Sequence, residues 1–193
     1  MVEDLVQKEF PKVANDKSIQ FKISGCMNSC GQHMIATIGL QGMTIKAPDK
    51  RIVPATQILL GGGNLENGNG RFADKVIKIP SKRVPEAIRI ILSEFESAET
   101  SNFLDFYDHF GKKYFYDLLQ PLTDVKTIDA SEFIDWGSDQ IFKKSIGIGE
   151  CAGVVVDLVS TLIDDAEHKL VLAKEALAIS VSDGAYHCYT AII

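Results

Sequence analysis

Short apolar runs broken by glycine-bearing turns dominate the first part of the chain, and helical spacing dominates the second. Between residues 18 and 80, Lys22-Ile23-Ser24, Ile35-Ala36-Thr37-Ile38, Ile52 to Leu60 and Lys75-Val76-Ile77-Lys78-Ile79 read as strands. They are short, rich in β-branched residues and bounded by turn formers. The third runs into Gly61-Gly62-Gly63. Val84, Ile88, Ile91, Leu92 and Phe95 then recur at the spacing of one helix face, with Pro85 near the start, where proline is tolerated. Phe103, Phe106, Tyr107 and Phe110 make an aromatic face that Gly111 interrupts. Tyr114, Phe115, Leu118 and Leu119 continue it until Pro121. The stretch 103–116 reads as core. Residues 121–150 read as an irregular linker carrying Trp136, followed by a long helix from Val154 to about Ala178. A second helix opens after Ser182-Asp183-Gly184 and runs to the final Ala191-Ile192-Ile193.

Composition narrows the class. In 193 residues there are 20 Lys+Arg against 26 Asp+Glu, a formal charge of −6, and 46% of residues are hydrophobic. The apolar share is that of a folded chain. The acidic balance argues against non-specific nucleic-acid binding, which rests on neutralising phosphates. No apolar stretch approaches the ~20 residues that span a bilayer. Glu3, Asp4 and Glu9 interrupt the first ten residues, so a signal peptide is not expected there. With only four cysteines, the chain is expected to be a cytoplasmic protein, without a disulfide framework.

Chemistry concentrates in Ser24-Gly25-Cys26-Met27-Asn28-Ser29-Cys30-Gly31-Gln32-His33. Two thiols follow a strand, flanked by glycines that permit a tight backbone. Thiolates select zinc, copper(I) or iron–sulfur clusters, and a cluster is commonly held by four of them. A bare C-x3-C also fits two packed cysteines, since free cysteine is often buried. A zinc ribbon is disfavoured, because no second Cys/His pair follows at finger spacing. A site built from Cys26, Cys30 and His33 stays open, as does a hydrogen-bonded loop histidine at 33. Cys151 and Cys188 read as structural, and His109 and His168 as solvated. Lys46, Lys50 and Arg51 form a basic loop able to meet an acidic partner, or simply an exposed turn.

Gly25-Cys26-Met27-Asn28-Ser29-Cys30-Gly31 resembles the second cysteine pair, in a GC-x-N-x-CG context, of the ferredoxin-type nitrite/sulfite reductase family. Ile58-Leu59-Leu60-Gly61-Gly62-Gly63, Arg83-Val84-Pro85-Glu86-Ala87 and Phe103-Leu104-Asp105-Phe106 resemble the elements that follow it. The resemblance covers residues 1 to about 120. It implies an α+β fold, a nitrite/sulfite reductase 4Fe-4S-type α/β domain over 1–120, here with an all-helical carboxy-terminal appendage. It also implies a [4Fe–4S] cluster coupled to sirohaem, serving the six-electron reduction of nitrite to ammonia or of sulfite to sulfide. Cys26 would be a cluster ligand, and Cys30 the ligand shared between cluster and sirohaem. Asn28 would lie beside the macrocycle, and Gly61, Gly62 and Gly63 would offer N–H groups to cluster or carboxylates. The family's C-x5-C pair is absent, as is the upstream half that binds the anion. The chain is therefore expected to be a fragment that needs that half and a ferredoxin-like donor, and to be inactive alone. Residues 151–193 resemble the opening of a HEPN-type helical hairpin, cut short at Ile193 and able to self-associate. The Arg-x4–6-His motif of HEPN ribonucleases is missing, Arg89 being the nearest arginine before His187. The alternative is a non-catalytic helical interaction module on a degenerate reductase domain.

Overall fold

In the computed structural model, residues 2–65, 68–98, 100–143 and 158–190 are described, with side chains of 158–162 excepted. The chain divides into two compact units, Met1–Lys144 and Ser145–Ile193.

The first unit is built on a four-stranded sheet of order β1-β2-β3-β6, with β1 (Phe21–Ser24), β2 (Ile38–Lys46), β3 (Ile52–Leu60) and β6 (Asp74–Pro80). A ribbon of β4 (Gly63–Asn64) and β5 (Gly70–Arg71) lies between β3 and β6 in sequence. β1 and β2 are parallel, and the other pairs antiparallel. Alternation along each strand and the registers Leu40↔Ile58 and Ile58↔Ile77 bring apolar residues to one face. Onto that face pack α1 (Val2–Glu9), α3 (Val84–Ser97) and α4 (Phe103–Leu119), giving one cluster with Val2, Leu5, Ile88, Leu92, Phe103 and Phe115 among its members. α3 buries Val84, Ala87, Ile88, Ile91, Leu92 and Phe95, the stripe its spacing implies.

α4 is two helical segments merged across Gly111 (φ 76°, ψ 165°), and Tyr107 stacks on Phe115 across that kink at 5.3 Å. The aromatic stretch is core only in part: Phe103, Phe106, Tyr107 and Phe115 are buried, whereas Phe110 and Tyr116 are exposed.

Two elements differ from the sequence reading. Ile35 to Ile38 is not a strand: His33–Ile35 is a 3-10 turn, and the strand runs from Ile38 to Lys46. The pattern missed it because Gly39, Gln41 and Gly42 break the apolar alternation. The glycines are there for close approach: a Cβ at Gly39 would sit 2.1 Å from the His33 carbonyl oxygen, and one at Gly42 2.5 Å from that of Gly25. The second difference is helical structure at the start of the chain, in α1 and the short α2 (Pro11–Ala14).

The stretch read as a linker carries fixed contacts over 121–143. Arg83 donates from Nε and Nη2 to both carboxylate oxygens of Glu132 and from Nη1 to the Leu122 and Asp124 carbonyls. Asp129 and Glu132 close a capping box on the 3-10 turn Ala130–Phe133, and Trp136 Nε1 donates to the Ser81 carbonyl at 3.0 Å.

In the second unit, α5 (Leu158–Leu177) and α6 (Val181–Thr190) pack on each other, with Gly184 against Leu177. The segment around Cys151 lies outside the described residues. No described helix is long and apolar enough to cross a membrane.

Candidate cysteine-loop site

Joining two parallel strands requires a crossover of about a dozen residues. Here that crossover, residues 25–37, is the cysteine loop itself. It leaves the end of β1 at Gly25, turns, and comes back against β1 before reaching β2. The return is held at three points. Gly31 N–H donates to Ser24 Oγ (3.0 Å), Gln32 N–H to the Ser29 carbonyl (2.7 Å), and Lys22 Nζ to Gln32 Oε1 (2.7 Å). Ser29 and Gln32 take left-handed conformations (φ 60° and 57°) that make the turn. Gly31 is pressed so closely on β1 that a Cβ there would be 2.0 Å from the Ile23 carbonyl oxygen. The second glycine of the motif is therefore dictated by packing.

This seat leaves the chemistry facing outward. Cys26 and Cys30 are free and exposed, and so is Asn28. Two apolar side chains are exposed on the same stretch, Met27 at 76% and Ile23 at 58%. Beside the loop a groove of about 440 Å³ runs past Ile23, Gly25, Leu40, Gly42, Val84 and Trp136.

His33 is separated from this face. It is 0% exposed, and neither ring nitrogen has a hydrogen-bond partner. Burial, aided by the nearby Lys75 charge and opposed by the neighbouring Gln41 amide, lowers its pKa from the ordinary imidazole value. A sealed imidazole cannot join two solvent-facing thiols, so the Cys26–Cys30–His33 metal site is not formed. Among the described residues, no group of three His, Cys, Asp or Glu side chains is placed to hold a metal ion.

The first two glycines of the triplet turn their N–H groups to the chain's own backbone. Gly61 N–H donates to the Thr37 carbonyl (2.9 Å) and Gly62 N–H to that of Ala36 (3.1 Å), so both are engaged within the chain. A Cβ at Gly61 would strike the Tyr107 ring at 2.4 Å, and one at Gly62 the Ala36 carbonyl oxygen at 2.7 Å. These two glycines pin the far end of the cysteine loop to β3. Gly63, at φ 136°, lines a polar cleft with Lys17, Lys22, Asn64 and Asn102. Tyr107, which packs over Gly61, donates to Asp74 Oδ2 (2.8 Å). Burial first, then that bond, raises its pKa above the ordinary tyrosine value.

Of the remaining candidates, Arg51 is paired with Asp49 (2.6 Å) and stacked over the Phe133 ring, which makes the basic loop a turn with an internal ion pair. His109 and His168 are exposed on helices. Cys188 is a half-buried free thiol in the second unit. Sequence reasoning missed the parts that the Ser24 hydroxyl, Gly39 and Gly42 play in seating the loop. Only the glycines left a trace in the sequence, as interruptions of a strand pattern.

No protein-family model matches the chain. Over 51 residues it is 41% identical to the chloroplastic ferredoxin–nitrite reductase of Zea mays, a match covering 26% of this chain and 9% of that enzyme. Part of the chain is nitrite-reductase-like. Among solved structures, the NirA protein of Mycobacterium tuberculosis aligns with a TM-score of 0.48 at 22% identity, over 59% of this chain and 21% of that one. The chain thus spans a small fraction of the length of either protein.

Proposed function

We propose that the first unit supplies one half of a cluster-and-sirohaem site in a nitrite or sulfite reductase, with Cys26 and Cys30 as its two ligands. The observation that carries this reading is the seating of both thiols, exposed and free, on a braced crossover loop within a chain that is partly nitrite-reductase-like. The donor set fits in kind: soft thiolates without a competing carboxylate between residues 25 and 32. It fits in number only in part, because a cubane cluster commonly takes four thiolates and this loop offers two. The other two are to come from the family's C-x5-C segment.

When bound, cluster and sirohaem supply electron storage and one-at-a-time transfer for a six-electron reduction. The chain's own residues hold and orient. The bonds from Gly31 and Gln32 fix the limb that bears Cys30, the shared ligand in this reading, while Cys26 sits at the start of the turn. Lys22 braces the same limb from β1 through its 2.7 Å bond to Gln32 Oε1. Ile23 and Met27 give the loop an apolar surround from which a covering polypeptide can exclude water.

The test is co-production of the full chain with a reductase segment bearing the C-x5-C pair, comparing wild type with Cys26→Ser and Cys30→Ser by electron paramagnetic resonance after reduction. Loss of the cluster signal in both variants supports the assignment. A wild-type signal that either variant retains removes that cysteine from the ligand set.

A further inference from the structure

Cys26, Met27 and Cys30 place three exposed sulfur atoms within five consecutive residues. We infer that the chain on its own carries a site for a soft monovalent ion, copper(I), held by the thiolates of Cys26 and Cys30 and the thioether of Met27. The site uses the same thiols as the proposed cluster but needs no second polypeptide, so the two assignments stand or fall separately.

The donor chemistry points to copper(I). Thiolate and thioether sulfur select it, and it does not require the four ligands of a structural zinc site. The only other side-chain heteroatoms between Gly25 and Gly31 are the neutral amide of Asn28 and hydroxyl of Ser29, both poor ligands for a soft ion. His33, the nearest imidazole in sequence, is fully buried. The backbone allows convergence. Ser29 at φ 60° turns the chain between the two cysteines, and the Gly31–Ser24 bond fixes the Cys30 limb while Cys26 and Met27 face solvent. Binding is a ligand exchange without redox change: copper(I) gives up its chelator or solvent ligands, bonds the three sulfurs, and the Cys26 and Cys30 thiols each release a proton to solvent.

The test is an anaerobic titration of the reduced full chain with copper(I), in competition with a chromogenic copper(I) chelator. One equivalent is expected to bind. Affinity should fall by about a hundredfold or more in Cys26→Ser and in Cys30→Ser, and by about tenfold in Met27→Leu. Cys151→Ser and Cys188→Ser should match wild type. Because Met27 is exposed, Met27→Leu leaves the fold intact, and X-ray absorption at the copper edge on wild type should count three sulfur neighbours. Retained affinity in either loop-cysteine variant overturns the site. So does a Met27→Leu variant equal to wild type, a count of two sulfurs, or a loss on Cys188→Ser.

Discussion

Replacing Gly31 with alanine tests whether the cysteine loop is seated as tightly as its contacts imply. The added methyl would lie 2.0 Å from the Ile23 carbonyl oxygen and 2.9 Å from Ser24 Oγ. Ordinary contact begins at 3.4 Å, so the backbone must retreat by 3.4 − 2.0 = 1.4 Å. A retreat of that size breaks the 3.0 Å bond from Gly31 N–H to Ser24 Oγ, worth about 1 kcal/mol. The strain left after relaxation adds about 1–3 kcal/mol. The two terms together predict a loss of about 2–4 kcal/mol, at the low end where the loop relaxes most. In urea, with a slope of about 2 kcal/mol/M, the unfolding midpoint should fall by about 1–2 M. Gly25→Ala is the control in the same loop: its Cβ would meet no heavy atom within 4 Å, and its effect should stay within about 0.5 kcal/mol. Equal midpoints for the two variants would refute the close packing of the loop on β1.

Three further outcomes are expected. Glu132→Gln, which takes the carboxylate from Arg83, should destabilise by about 2–3 kcal/mol in urea; a fully buried pair would cost about 3–5, but Arg83 keeps 18% of its side chain exposed, and a change under about 0.5 kcal/mol would contradict the buried pair. His33 has a lowered pKa in the fold, so the unfolded chain binds the extra proton below pH 6.5; its contribution is complete above pH 6.5 and falls as pH drops toward the folded pKa, by at most about 1.4 kcal/mol per pH unit. Midpoints at pH 7.5 and 5.5 should therefore differ more in wild type than in His33→Gln, and equal differences would show that the imidazole is not buried in the neutral form. Tyr107→Phe should cost about 1 kcal/mol and remove a tyrosinate absorbance step above the ordinary tyrosine range; loss of a step inside that range would contradict the burial of Tyr107 and its bond to Asp74.

Much of the scaffold is legible because local pattern and burial agree. β3 is a largely apolar run, broken by Thr56 and Gln57, that is buried from Val53 to Thr56 and from Ile58 to Leu60, and α3 shows its buried stripe as an i, i+4, i+7 pattern. β2 was hidden because its glycines answer to backbone outside the strand, His33 for Gly39 and Gly25 for Gly42. α1 carries Val2, Leu5 and Val6 at helical spacing, but eight residues give a weak periodic signal. At the site, the cysteine pair and its glycines were readable from spacing alone. The burial of His33 was not, because nothing local distinguishes a sealed imidazole from a loop histidine. Nor was the role of Gly61 and Gly62, whose N–H groups turn inward to residues 36 and 37 only once β3 lies against the end of the crossover.

The central claim is that Cys26 and Cys30 complete a shared iron–sulfur site. Its most direct test is the iron and acid-labile sulfide content, with a visible spectrum, of the chain alone and of the chain co-produced anaerobically with a segment bearing the C-x5-C pair. The account predicts a colourless chain, and a coloured pair with iron and sulfide that Cys30→Ser abolishes. A pair without iron, or iron and sulfide unchanged by Cys30→Ser, would contradict it.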